Sequence, residues 1–212
     1  MSLNPSRSVK PRDAASLILV RRNDRGPLEI LLGRRAGKHR FLPDVYAFPG
    51  GRLDSSDLSD IASNSLNINN NIVSLMGCQP ALAGALALAA LRETWEETGI
   101  VLGRVEAGQL RPDASGLHYL GRAITPAESP IRFHARFFLQ DVTDLPVSLG
   151  GSGELLDLAF RPLEAALRLP LADITEFMLR DVVGRLGPDL RPGRPVFWRY
   201  RRGKPLISWE KP

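Results

Sequence analysis

Three glutamates, Glu93, Glu96 and Glu97, occupy positions i, i+3 and i+4 of the run Arg92-Glu93-Thr94-Trp95-Glu96-Glu97-Thr98-Gly99-Ile100. On an α-helix these positions fall within about 100° of one another, so three carboxylates share one face. Anions that close repel. A hard divalent cation with oxygen ligands, Mg2+ or Mn2+, removes the conflict. Glu96 and Glu97 are placed to ligate such an ion; Glu93, one turn earlier, can ligate it or take a proton from an attacking water. Arg92, beside Glu93 and four residues before Glu96, can orient a carboxylate through charge-assisted hydrogen bonds. Upstream, Phe48-Pro49-Gly50-Gly51-Arg52 forms a glycine turn. Lacking a Cβ, Gly51 lets the backbone approach a ligand closely, and its carbonyl can join the carboxylates. The plain alternative for the glutamates is a solvated helix face with an i, i+4 salt bridge; the turn before them and the glycine after them favour a site.

These residues need a helix and a sheet to hold them. Ala81–Thr98 reads as the helix, ended by Gly99, with Leu88, Leu91 and Trp95 as an apolar stripe opposite the glutamates. Ala14–Arg22 and Leu28–Arg35 are apolar runs separated by the turn cluster Asn23-Asp24-Arg25-Gly26-Pro27, which predicts a hairpin. Val45–Phe48 is a short strand leading into the glycine turn. Asp57–Pro80, rich in Asn and Ser, reads as an inserted loop with room for a short helix, centred on about 58–80. Leu117–Ile124, Ile131–Val142 and Glu154–Phe160 read as strands, the last preceded by a flexible Gly150-Gly151-Ser152-Gly153 loop. Leu163–Leu167 and Ile174–Leu186 read as helices, and Val196–Tyr200 with Leu206–Trp209 as a closing hairpin. Strands around one central helix, with more helix from about residue 163, predict a single-domain α/β/α sandwich with a mixed sheet.

The composition is that of an ordinary globular chain: 212 residues, 43% hydrophobic and 24% charged. No apolar run approaches the roughly 20 residues of a bilayer span, and the polar N-terminus lacks a signal core, so no membrane partner and a cytoplasmic location are expected. The single cysteine, Cys78, excludes an intrachain disulfide framework and a multi-cysteine zinc site; beside a turn it reads as an incidental thiol. The net charge of +5 suits an anionic substrate or nucleic acid without choosing between them. His39, His118 and His134 show no metal-ligand spacing.

The glycine turn and glutamate run resemble the signature of the Nudix hydrolases, Gly-x5-Glu-x7-Arg-Glu-U-x-Glu-Glu-x-Gly-U, with U a bulky apolar residue. Gly51 matches its first glycine, and Arg92, Glu93, Glu96, Glu97, Gly99 and Ile100 its second half. Asp57 replaces the first glutamate, 34 residues separate it from Arg92 in place of the short spacer, and Thr94 takes an apolar position. The resemblance implies a metal-dependent diphosphatase with Gly51, Glu93, Glu96 and Glu97 at the metal and Arg92 and Glu93 in catalysis. It further suggests a carboxylate from a loop outside the signature that completes the metal site or serves as base, for which Glu154 is the candidate; an ordinary strand-start glutamate is the alternative.

A second resemblance covers Leu31-Leu32-Gly33-Arg34-Arg35-Ala36, Arg40, Asp44 and Phe48–Gly51. The coenzyme A diphosphatase branch carries LLTxR[SA]x3Rx3Gx3FPGG there; Gly33 replaces its threonine and Asp44 its glycine. The interrupted signature also looks like that of the acyl-CoA diphosphatases, and the C-terminal Trp209-Glu210-Lys211-Pro212 carries no peroxisomal address. This implies cleavage of coenzyme A or an acyl-CoA to 3′,5′-ADP and 4′-phosphopantetheine, acylated where the substrate was. Arg35 and Arg40 suit its phosphates, since guanidinium offers paired donors; solvated charge is the alternative. Arg34 should point to the other sheet face.

Two other functions remain open. One is hydrolysis of a different nucleoside diphosphate derivative, such as ADP-ribose, a nucleotide sugar or a dinucleotide. The other is a non-catalytic ligand- or RNA-binding module of the same fold, against which the three retained glutamates speak. Arg199, Arg201, Arg202 and Lys204 with Trp198 and Tyr200 could contact nucleic acid, but on a hairpin such residues more often form a solvated face. A homodimer is compatible with these residues, which do not fix an oligomeric state.

Overall fold

The computed structural model describes residues 9–22, 26–37, 43–63, 66, 68–187 and 189–210. Strand β1 (Arg12–Arg22) is its spine. It pairs antiparallel with β2 (Leu28–Arg35), as the two apolar runs predict; the Asn23–Arg25 part of their connection lies outside the described residues. β3 (Tyr46–Ala47) pairs with β2, and β4 (Gly50–Arg52) with β1, so the glycine turn ends in sheet rather than loop. β7 (His118–Ile124), β8 (Phe133–Asp141), β9 (Leu155–Pro162) and the tail hairpin β10 (Val196–Arg201) and β11 (Lys204–Trp209) complete a nine-stranded sheet. It runs β11-β10-β7-β8-β1-β2-β3, with β9 also on β2. The sheet is mixed: β1 lies parallel to β8 and β10 parallel to β7, while the other pairs are antiparallel.

Alternation along β1 and β2 sends their side chains to two cores. Leu17, Leu19 and Leu31 pack with helix α3 (Pro80–Thr98), whereas Ile18, Val20, Ile30 and Leu32 pack with Ala166, Phe177 and Met178 on the other face. Those three belong to α4 (Leu163–Ala166) and to α5 (Asp173–Phe177), which continues through a π turn (Met178–Val182) and a 3-10 turn (Val183–Arg185). The result is the expected α/β/α sandwich. No single described helix is long and apolar enough to cross a bilayer.

Three expectations need correcting. The insertion is helical, forming α1 (Ser55–Ser63) and α2 (Asn70–Met76). Its polar composition hides helices because the polar residues supply their ends: Asn69 Oδ1 accepts from Asn71 N–H at 2.9 Å, and Asp57 reaches back to the Asp54 N–H at 2.8 Å, as in a capping box. α1 lies against α3, with Ile61 on Gly84. For that reason α3 does not bury a single stripe. Ala83, Ala85, Leu86, Ala87, Ala89, Ala90 and Leu91 are all buried between sheet and insertion, and Leu88 and Trp95 are only half-buried. Finally, the glycine-rich loop is docked. Gly150 N–H and Ser152 N–H donate to the Thr98 and Glu96 carbonyls, closing the end of α3 that a helix leaves unsatisfied. A hairpin not expected from the sequence, β5 (Gly103–Glu106) and β6 (Gln109–Pro112), stands apart from the main sheet.

Candidate active site

α3 starts with Pro80 in its first turn and stops at Gly99, whose left-handed φ of 75° and N–H bond to the Trp95 carbonyl form the cap. Its last turns lie over β4. Gly50 N–H donates to Glu97 Oε2 at 2.9 Å. A Cβ on Gly51 would stand 2.3 Å from Glu93 Oε1, so the Glu93 carboxylate rests directly on the Gly51 backbone. The glycine turn and the glutamate helix, separated by the insertion in sequence, are one structure.

Arg92 joins the rest. Its Nε and Nη2 donate to the two oxygens of Asp57 at 2.9 and 3.1 Å, and its Nη1 to Glu93 Oε1 at 3.0 Å and Glu96 Oε2 at 3.2 Å. Burial alone would lower the pKa of this guanidinium, but Asp57 and the two glutamates outweigh it and raise it. Asp57, 1% exposed, is thus the anchor of Arg92. The sequence left its role open, since the contact spans 35 residues; the capping-box spacing Asp54-x-x-Asp57 was the available signal. Thr94, at the signature's apolar position, is fully buried and donates its hydroxyl to the Ala90 carbonyl at 2.7 Å, so the helix absorbs its polarity.

Arg35 and Glu154 come to the same place. Arg35 is on the face of β2 that carries Leu31, and its pKa is lowered by burial against the opposing fields of Glu97 and Glu154. Glu154 immediately precedes β9, held by the Ala36 N–H bond to its carbonyl and by the docked loop. Arg34 points the other way, to Asp44 at 2.8 Å, as alternation requires. Asp44 has a φ of 59°, so it keeps the left-handed turn that the related motif fills with glycine; aspartate tolerates this better than most residues. Gly33 replaces threonine where a Cβ would meet the Leu155 Cβ at 2.7 Å. Arg40 and His39 lie outside the described residues. Trp198, a candidate surface aromatic, is instead buried against Phe177.

Glu97 is 5% exposed, and burial pushes its carboxyl up to about 8, Glu93 and Glu154 adding to a rise that Gly50 N–H and Arg35 oppose. Glu93 is likewise raised by burial, with Arg92 opposing. Among the described residues, no three acidic, histidine or cysteine side chains converge as a closed cage; Glu96, partly exposed, is turned onto Arg92. The donors nevertheless fit a hard cation: they are all oxygens, and a buried carboxyl and a half-buried one that both resist ionisation are the environment a divalent ion relieves.

No family model matches the chain. Solved structures do. A NUDIX hydrolase from Alicyclobacillus acidocaldarius is 29% identical with a TM-score of 0.65, over 81% of this chain and 90% of that one. The NUDIX domain of Shewanella oneidensis NrtR, complexed with ADP ribose, is 16% identical with a TM-score of 0.53, over 84% and 90%. A mutator MutT protein from Bacillus halodurans is 13% identical with a TM-score of 0.52, over 93% and 97%. The fold is that of the Nudix hydrolases. Similarity to the first of these, together with the intact carboxylate helix and its glycine turn, supports a Nudix-type pyrophosphohydrolase and leaves its substrate unspecified.

Proposed function

We propose that the chain hydrolyses the diphosphate of coenzyme A or an acyl-CoA, giving 3′,5′-ADP and 4′-phosphopantetheine or its acyl derivative. The observation that carries this reading is the meeting of two motifs: Arg35, from the segment that resembles the coenzyme A branch, is within the electrostatic reach of Glu97 and Glu154. Its half-buried guanidinium is suited to a phosphate oxygen, since a cation already shielded from water binds an anion more strongly. Arg40 is the second phosphate partner in this reading.

Glu93, Glu96, Glu97 and the Gly51 carbonyl would hold Mg2+ or Mn2+. When bound, such an ion offsets phosphate charge and acidifies water. The chain's own residues orient the reaction. Arg92, fixed by Asp57, holds Glu93 against Gly51. Water adds to phosphorus, the bond to the bridging oxygen breaks, and the proton lost by the water passes to Glu93 or Glu154. Two phosphate monoesters result.

The test is turnover by the purified protein with Mg2+ or Mn2+ of coenzyme A, acyl-CoA, ADP-ribose, NADH and UDP-sugars, with Glu97→Gln as control. Coenzyme A or acyl-CoA should be cleaved, and the Glu97→Gln protein should be at least about 100-fold slower. Cleavage of ADP-ribose alone would overturn the substrate; cleavage of none would overturn the enzyme.

A further inference from the structure

A second polar cleft lies on the α3 side of the sheet, built by parts of the chain that the carboxylate site does not use. It has a volume of about 520 Å3 and is walled by the end of α2, by β7 and β8, and by Glu210 after the last strand. Cross-strand register separates it from the glutamates: Arg136 on β8 is opposite Ala15 on β1, and Ala15 is opposite Gly51 on β4. That is two strand spacings, about 10 Å, and Ala15 between them is buried in the core shared with α3.

The cleft contains a fixed, incompletely matched set of donors. Arg136 is 6% exposed. Its Nη1 is committed to Asp13 Oδ1 at 2.5 Å and to the His134 carbonyl at 2.9 Å, while Nε and Nη2 carry no hydrogen bond among the described residues. That edge is open to the cleft from an otherwise buried side chain, and its paired N–H geometry matches a phosphate or carboxylate. Arg122 cannot swing in to serve a different role. It lies flat on Phe197 at 3.8 Å, with Nε and Nη2 on Glu210 Oε1 and Nη1 against His134 Nε2. Near these groups the Tyr119 hydroxyl is buried without a hydrogen-bond partner. Burial first, and then Arg136 and Arg122 against the opposing Asp13, hold His134 neutral with its pKa down at about 4.

We propose that this cleft is a second ligand site, distinct from the carboxylate helix, which takes an organic phosphate of nucleotide size with its oxyanion on the free edge of Arg136. The volume is in the range of small-molecule sites and exceeds what inorganic phosphate needs. Leu75 and Met76 supply an apolar wall for the organic part. Because α2 forms that wall, the insertion that interrupts the signature acquires a role: it builds a binding site beside the catalytic one.

Cys78 lines the cleft and is the only thiol in the chain, so it reports occupancy without reference to catalysis. The full chain is treated with N-ethylmaleimide in EDTA at mildly alkaline pH, since burial raises the Cys78 thiol and the thiolate is the reactive form. Saturating AMP is expected to slow alkylation at least fivefold, and adenosine, which lacks the oxyanion, to leave it unchanged. Arg136→Lys keeps the charge beside Asp13 but not the paired edge, and is expected to abolish protection while preserving the unliganded rate. Ser74→Trp, on the exposed rim, is a second variant expected to abolish it. Arg35→Lys, at the other site, is expected to leave protection intact. Absence of AMP protection, equal protection by adenosine, persistence of protection in both cleft variants, or its loss in Arg35→Lys would each overturn the proposal. None of these readouts depends on turnover, so they stand apart from the coenzyme A reading.

Discussion

Gly51→Ala separates what the glycine turn does for catalysis from what it does for folding. The added Cβ would lie 2.3 Å from Glu93 Oε1, 2.4 Å from its Cδ and 2.7 Å from Oε2, about 1.1 Å inside the 3.4 Å at which ordinary contact begins. Gly51 does not have a left-handed φ, so alanine fits its backbone. The conflict is with the far end of a side chain, which can yield. The Glu93 carboxylate should move by about an ångström, pulling on the Arg92 Nη1 bond. A misplacement of that size in reacting groups can cost about 100-fold in rate, whereas folding stability should change by no more than about 1 kcal/mol, alanine also reducing unfolded-chain entropy. Gly50→Ala is the contrasting variant. Its φ of 151° is disfavoured for alanine, and its Cβ would lie 2.3 Å from the Ala15 carbonyl oxygen, which is backbone and cannot yield. It should destabilise the chain by about 2 kcal/mol or more. The assays are kcat and KM on whichever diphosphate substrate the panel identifies, with urea melts of both variants. Near-normal kcat in Gly51→Ala, or a loss of stability equal to that of Gly50→Ala, would refute the reasoning.

Asp57→Ala leaves the Arg92 guanidinium without its anchor in a partly buried setting, and urea melts should show a loss of about 3 kcal/mol with a fall in kcat. Thr94→Val should be within about 1 kcal/mol of the parent in the same melts, because the Thr94 hydroxyl only adds a second bond to the Ala90 carbonyl. Gly151→Ala places a Cβ 2.1 Å from the Glu97 carbonyl at a φ of 122°; undocking the loop should cost about 1–3 kcal/mol and weaken turnover through Glu154. Stability should also fall from about pH 6.5 toward pH 4, on the order of 2–3 kcal/mol, through His134, which faces Arg136, Arg122 and Asp13. Its folded pKa is depressed, so between those values the unfolded chain binds more protons and acid favours unfolding; His134→Gln should flatten that part of the pH–stability curve.

What could be read from the residues alone follows burial. β1 and β2 are legible because both faces of each meet a core, giving continuous apolar runs with a turn between. α3 is legible from its length and from Gly99. β5 and β6 escape notice because Gly103–Glu106 is exposed along its whole length and supplies no alternation, leaving only the left-handed Ala107-Gly108 turn as a signal. α1 and α2 escape because Ser, Asn and Asp are both loop residues and helix caps, and composition does not distinguish the two. At the site, Glu93, Glu97, Gly51, Arg35 and Glu154 could be brought together from spacing and resemblance. The i, i+4 pairing of Glu96 with Arg92 is legible from the same spacing; the anchoring of Arg92 by Asp57 is not, since that contact spans 35 residues and only three-dimensional structure presents it.

The altered half of the signature is accounted for by a constraint that sequence spacing conceals. An insertion between Gly51 and Arg92 is harmless only if both of its ends are held independently of its length. β4 is fixed by its pairing to β1 and α3 by its packing on the sheet, so neither end needs the short spacer. The two still have to be locked in relative position. Arg92 does this, reaching Asp57 at the start of the insertion and the Arg52 carbonyl at the end of β4 with the same guanidinium that orients Glu93. Aspartate is sufficient for that task because α1 begins immediately after β4 and brings the shorter side chain close. The residues between α1 and α3 are then free to vary, and in this chain they include α2, whose end walls the second cleft.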